Sequence, residues 1–399
     1  MSVTAPFSPG GIEIVVALAP PDGDPRGRAV EAVTIGSTRP TSVSSAVFVG
    51  RSAAEVPGLA QRLHALCGCA HAVAAKVAIR FAGEGGFDGP SDEALIGLAA
   101  ERLGEQLRSV FTARGLAPAL ETIDGTVLAE LRRVLATVRG ISAFETGAAR
   151  DAAVQAILEG LARLGLEARE AGPTVPPIGS WAAALVASVG DDDAGAFPAV
   201  DGLGPDDDAA VIAALTADPV GFAARPSLPG RRPETGSTAR GRSTGTIADG
   251  RARIIDRLAE IAEAGALIAA SAPERRRRMA GWASGGLMAP GVGWAAVESP
   301  RGRLHHLTRI DGAGRILAHV VLAPTEWNFH TEGPLARALA ANRFPPGEDG
   351  RIRATRIAAL HDPCVGFDVR FEAAADVAEL PGGPVADVSA GGLGRTVAP

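Results

Sequence analysis

Apolar and polar positions alternate near the start of the chain, and GIEIVVAL at 11–18 and RAVEAVTI at 28–35 predict two strands joined through the breaker-rich APPDGDPRG. From Glu55 the period lengthens. Leu59, Leu63, Leu66, Ala70, Val73 and Val77 recur at steps of three and four and predict one amphipathic helix over 55–79. Comparable stripes predict helices at 92–114, 123–138, 151–165 and 251–270, with a short helical piece at 208–217. Between 171 and 250 Pro, Gly and Asp dominate, so this stretch reads as a long excursion, either ordered or partly disordered. Strand alternation returns from Gly293, with RLHHLTRI at 303–310 and RILAHVVLA at 315–323 flanking the turn DGAG. The order sheet, helices, sheet predicts an α+β, mostly helical fold: a helical bundle flanked by small N- and C-terminal β-sheets, without βαβ alternation. The plan is one domain over 1–370, followed by a tail at 371–399. Within the domain, 1–50 form the small sheet, 51–170 the helices with the early cysteines, 171–250 the excursion, and 251–370 a helix, a β segment and a late cysteine loop.

Composition narrows the function classes. With 399 residues and 46% apolar content the chain is long enough for a substantial core. A net charge of -6, with ERRRR at 274–278 as the one basic run, argues against nucleic acid, whose phosphates need a clustered positive face. That run reads as a solvated face. No apolar stretch reaches the roughly 18 residues a membrane span needs, and MSVTAPFSPGG lacks the features of an export signal, so a cytoplasmic location is expected. Three cysteines cannot make an even disulfide framework and are expected as thiols.

Candidate chemistry gathers at three places. On the helix predicted over 55–79, His64, Cys67 and His71 stand at i, i+3 and i+7, so they share a face and can converge on an ion. Cys69 is about 200° around the helix from Cys67 and is read as a bystander. The competing reading is a small buried cysteine with ordinary helix-face histidines. Cys364 lies in LHDPCVGFDVR, where Pro363 biases Asp362 toward an extended backbone and defines the loop, or simply makes a structural turn. Pro300-Arg301-Gly302 sets a guanidinium at the entrance to a strand, where a lone Arg is most often solvated.

QRLHALCGCAHAVAA, ESPRGRLHHLTRIDGAGRILAHVVLAPTEWN and DPCVGFDV resemble, in order and spacing, the three motif regions of nickel-iron hydrogenase large subunits. In that family R-x-C-G-x-C-x-x-x-H and D-P-C-x-x-C supply four thiolates to nickel, two of them bridging to an iron that carries cyanide and carbon monoxide. Alignment through His71 puts Cys67 on the second early cysteine and His64 on the first; Cys364 then falls on the first late cysteine and Phe367 on the second. Half of the thiolate set is missing, which implies no stable nickel-iron turnover. The resemblance retains Cys67 and Cys364 as iron-side thiolates and matches Pro300, Arg301, Asp362 and His71 to positions around the diatomic ligands. It implies His64 as a nitrogen ligand in place of a lost thiolate. PETGSTARGR at 233–242 is similar to the family's ETG-x-x-AR segment, whereas the acidic motif of the N-terminal sheet region is not recognisable. Arg370 stands where catalytic subunits end their mature chain with His.

This pattern is most similar to HupK-type hydrogenase expression and formation proteins, and their large-subunit-like fold is the one implied here. The role implied is a non-catalytic maturation scaffold that carries or assembles an iron-dicyano-carbonyl unit, held transiently, with nickel a secondary candidate. Its implied partners are a small maturation chaperone, an iron-cyanide assembly partner and the hydrogenase large subunit. The alternatives are a metal-free mimic of the large subunit that binds chaperones, and a residual nickel- or iron-dependent enzyme.

Overall fold

The computed structural model describes residues 10–39, 43–84, 86–112, 124–141, 147–167, 176–189, 195–242 and 244–372. The hairpin β1 (Ile12–Leu18) and β2 (Arg28–Ser37) forms as its alternation predicts, running from Ile12 opposite Ser37 to Leu18 opposite Val30. Helices follow: α1 (Val43–Phe48), α2 (Val56–Leu63), α3 (Gly68–Glu84), α4 (Asp92–Thr112), α5 (Gly125–Gly140), α6 (Ala148–Leu164), α7 (Trp181–Ser188), α8 (Asp208–Ala217), α9 (Gly250–Ala269) and α10 (Ala272–Arg278). The chain then makes β3 (Ala283–Ala289), β4 (Val292–Ser299), β5 (Gly302–Ile310) and β6 (Ile316–Leu322). It closes with α11 (Pro324–Asn328), α12 (Pro334–Ala340), β7 (Arg343–Phe344), α13 (Glu348–Ala359) and β8 (Phe367–Glu372).

Two four-stranded sheets flank the bundle, as expected of an α+β, mostly helical fold. One is the antiparallel meander β3-β4-β5-β6, and α3 lies across β4 and β5. That contact is so close that a Cβ on Gly293 would stand 2.1 Å from the Ala78 carbonyl oxygen, so the position requires glycine. The other sheet has the order β7-β2-β1-β8, with β8 parallel to β1 and Ile12 opposite Phe367. The first fifty residues therefore do not make their sheet alone. Strand β8 runs to Glu372, and the remainder of the expected tail, 373–399, lies outside the described residues.

Two expectations change, and one open alternative is decided for the described residues. The helix expected over 55–79 is broken: α2 stops at Leu63, residues 64–67 form a turn with the Cys67 amide bonded to the His64 carbonyl, and α3 starts at Gly68. Where it is described, the excursion is ordered, because Leu203, Val211, Ile212, Leu215 and Phe222 share an apolar cluster with Leu307, Leu322 and Trp327. The basic run is not all solvated. Arg275 is buried, donates to the carbonyls of Leu267, Ile268 and Ala270 at the end of α9 and pairs with Asp92, which satisfies helix-terminal acceptors.

A candidate two-cysteine metal centre

The break after α2 and the loop before β8 bring two distant thiols to one place. Cys67 ends the 64–67 turn and Cys364 sits in the loop between α13 and β8; both line a cavity of about 90 Å³ together with His64, His71 and Arg301. That volume accommodates several water-sized groups. Cys67 is half-exposed by area yet deep in the molecule, so its open side faces this cavity. Burial pushes its thiol well above the ordinary range, with Glu101 and Cys364 adding to the rise and Arg301 opposing it. Cys364 accepts a hydrogen bond from the Thr325 hydroxyl at 3.2 Å. Cys69 does not line this cavity: its sulfur stands where a Cβ on Gly97 of α4 would be 2.9 Å away, and burial pushes its thiol up to about 12.

Arg301 is held from several sides and remains under-satisfied. Gly302, at φ 132, makes the turn into β5 where a Cβ would stand 2.2 Å from the Thr235 hydroxyl oxygen. The Pro300 carbonyl accepts from Gln106 at 2.5 Å and from Arg240 at 3.1 Å, which pins the backbone just ahead of the guanidinium. Arg301 is buried, reaches Glu105 at 3.4 Å and lies 3.8 Å from Asp362, and its Nε has no hydrogen-bond partner among the described residues. A buried cation with a donor left over suits an anionic or strongly accepting ligand.

Asp362 departs from expectation. Its φ is 47, the one positive value at a non-glycine among the described residues, rather than the extended backbone that a following proline favours. Ser109 on α4 donates to its carboxylate at 2.6 Å, and the neighbouring Arg301 and Arg257 charges hold that carboxyl below its ordinary range against the effect of burial. These contacts offset the backbone strain. On the outer side of the loop a second, open cavity of about 340 Å³ is also lined by Arg301, Asp362, Cys364 and Phe367. Cys364 and Arg301 thus stand in the wall between an inner and an outer space.

The sequence did not point to several residues of this site. Arg39, just after β2, and Glu326 on α11 form an ion pair and line the inner cavity with Ser44 of α1 and Thr325. Glu101 on α4 accepts the backbone N–H groups of Cys69 and Ala70 at 2.6 and 3.0 Å and so caps α3 beside Cys67. These contacts join segments up to 287 positions apart, which no local period reveals.

No protein-family model matches the chain. It is 35% identical over 355 residues to the hydrogenase expression/formation protein HupK of Rhizobium leguminosarum bv. viciae, covering 86% of this chain and 94% of that one. To the HupK protein of Bradyrhizobium diazoefficiens it is 33% identical over 342 residues, 82% of this chain and 90% of that protein. The chain belongs to the HupK family of hydrogenase expression/formation proteins. Among solved structures it is similar to the [NiFeSe]-hydrogenase of Dm. baculatum, with a TM-score of 0.48 and 14% identity over 90% of this chain and 99% of that one.

In this HupK-family chain the two early histidines meet in a way that the unbroken helix did not predict. The rings of His64 and His71 stack at 3.5 Å between centroids and 9° between planes, and His64 Nε2 lies 3.3 Å from the Ser44 hydroxyl. His71 Nδ1 is 2.9 Å from His306 Nε2, His306 Nδ1 is 3.1 Å from His319 Nε2, and His319 Nδ1 is 2.9 Å from the Thr308 hydroxyl. Burial keeps these rings neutral: it lowers His64 to about 4 and His319 to about 3, and drives His71 and His306 well below the ordinary range. Each neutral ring has one N–H, so the tautomer of His71 is tied to those of His306 and His319 through β5 and β6. The adjacent HH at 305–306 was the available sequence signal. Among the described residues, no three His, Cys, Asp or Glu side chains converge closely enough to hold an ion by themselves.

Proposed function

We propose that the chain is a non-catalytic scaffold in hydrogenase maturation that carries an iron-dicyano-carbonyl unit on Cys67 and Cys364 before its transfer to a hydrogenase large subunit. The observation that carries this reading is that two thiols 297 positions apart line one small cavity beside an under-satisfied guanidinium. An iron that arrives with three diatomic ligands already attached needs few protein donors, so a pair of thiolates is matched to such cargo where it would be a poor site for a bare ion. Arg301 donates to a cyanide nitrogen, with Asp362 and Glu105 orienting the guanidinium and the pinned Pro300 carbonyl fixing its origin. His71 lines the same cavity with its Nδ1 engaged by His306, and the ring of His64 stacked on it would offer the cargo a nitrogen in addition to the two thiolates. Two thiolates release a metal more readily than four do, which suits a carrier. The opening of Cys364 to the outer cavity gives the cargo a side from which to arrive and leave. A small maturation chaperone and an iron-cyanide assembly partner are the proposed donors.

The test is an infrared spectrum of the full chain purified anaerobically after co-production with the maturation machinery. Cyanide and carbonyl stretching bands are expected, and they should vanish in the Cys67→Ala, Cys364→Ala double variant. Bands absent from the unaltered chain, or surviving in the double variant, remove the carrier reading.

A further inference from the structure

Arg301 also lines a third cavity, of about 10 Å³, together with Gln106 of α4, Arg257 of α9 and His361 in the loop after α13. That space fits one water-sized molecule, and neither Cys67 nor Cys364 lines it. All four side chains are at least nine-tenths buried. Each carries one polar atom without a hydrogen-bond partner among the described residues: Arg301 Nε, Arg257 Nε, Gln106 Oε1 and His361 Nε2. Buried polar groups are rarely left unpaired, and four of them around one small cavity call for a shared partner. Their neighbours fix what each atom offers. The Gln106 amide nitrogen donates to the Pro300 carbonyl at 2.5 Å, so its remaining amide atom is an acceptor. His361 Nδ1 lies 2.9 Å from the Ile357 carbonyl, which can only accept, so Nδ1 carries the proton and the neutral ring presents a lone pair at Nε2. Burial and the Arg253 charge hold that ring neutral, lowering it to about 4. Arg257 donates through its Nη groups to the Ser109 hydroxyl at 3.4 Å and the Leu360 carbonyl at 3.2 Å, and its Nε, like that of Arg301, can only donate.

We propose that this chamber binds one ordered water molecule, which accepts from Arg257 Nε and Arg301 Nε and donates to Gln106 Oε1 and His361 Nε2, and that Gln106, His361 and Arg257 position the Arg301 guanidinium through it. Two donors and two acceptors are the complement of the hydrogen bonds that a water makes. An anion would be set against the lone pairs of Gln106 and His361, and a cation against two guanidinium groups, so neither matches the set. A guanidinium has five N–H donors. In Arg301 one turns to the water and two reach Glu105 at 3.4 and 3.5 Å, which leaves two for whatever occupies the cavity beside Cys67 and Cys364. This inference rests on the surroundings of Arg301 and stands whether or not the chain carries a metal.

The test is a crystal structure of the full chain at pH 7, at a resolution where other buried waters are seen. One peak is expected in the chamber, about 2.7–3.2 Å from each of the four atoms. An empty chamber, or two of the four atoms bonded directly to each other, overturns the proposal. A crystal soaked in bromide should show no anomalous peak there; such a peak assigns an anion and overturns it as well. Positioning is examined with His361→Phe, which removes the lone pair, puts ring carbon into the chamber and leaves the bond from Gln106 to Pro300 untouched. That variant should lose the water and show the Arg301 guanidinium displaced or in two conformers, with the fold otherwise unchanged. A folded His361→Phe chain without the water and with Arg301 unmoved refutes the positioning role. If that variant does not fold, Gln106→Met serves, with a weaker water peak and a displaced guanidinium expected; a full peak and an unmoved guanidinium refute the role.

Discussion

Glu101 gives the clearest link between the architecture around Cys67 and a measurement. Its carboxylate accepts two backbone N–H groups at the start of α3, which lowers its proton affinity, yet burial outweighs them and raises it from 4.5 to about 7. Between these values the native chain keeps a proton that the unfolded chain has lost, so stability falls as pH rises from about 4.5 to about 7 and is level above. The penalty at pH 8 is about 3 kcal/mol, at roughly 1.4 kcal/mol for each tenfold change. Glu101→Gln removes the titration, while its amide can accept one of the two N–H bonds and loses the other, a loss of about 1 kcal/mol. The variant should therefore be less stable than the unaltered chain by about 1 kcal/mol at pH 4.5 and more stable by about 2 kcal/mol at pH 8. Urea unfolding followed by circular dichroism at the two pH values measures this crossing. A variant that is destabilised to the same extent at both would refute the reasoning.

Two other perturbations examine the scaffold. Glu234 and Arg253 are both buried and joined by bonds of 2.6 and 2.8 Å, so Glu234→Gln or Arg253→Met alone should destabilise by about 3–5 kcal/mol, and both replaced together by much less than the sum; additive effects in a urea double-mutant cycle would show the pair to be uncoupled. Gly293→Ala pushes a methyl group against the Ala78 carbonyl and should lower stability by about 1–3 kcal/mol, whereas Gly312→Ala, with nothing within 4 Å of its Cβ, should change the melting temperature little; equal shifts would mean that α3 yields freely.

Much of the fold is legible in the sequence because it rests on local period. The strands at 12–18 and 302–310, the short helix at 208–217 and the long helix at 250–269 lie where alternation or a stripe of apolar residues predicts them. Strand β3, ASGGLMA, was not legible, since its glycines are selected by close approach to α3 and Trp294 and carry no alternation. The break at His64 was hidden as well, because Leu63 and Leu66 continue the stripe across the turn. Within the site, the motif residues were readable as a set, but Arg39, Glu101 and Glu326 enter through pairings between distant segments. Asp362 went the other way: the general bias before proline was overruled by a loop held through Ser109 and Arg301.

The parallel register of β8 on β1 has a consequence for timing. Cys364 precedes by three residues a strand whose partner lies some 350 residues earlier, so the loop bearing this thiol, held on one side by Ser109, Arg301 and Thr325, gains its other anchor only when the two far ends of the sheet join. Closing the cavity therefore waits on a pairing of very high sequence separation, and anything that slows that pairing delays the site more than it delays the helices around it.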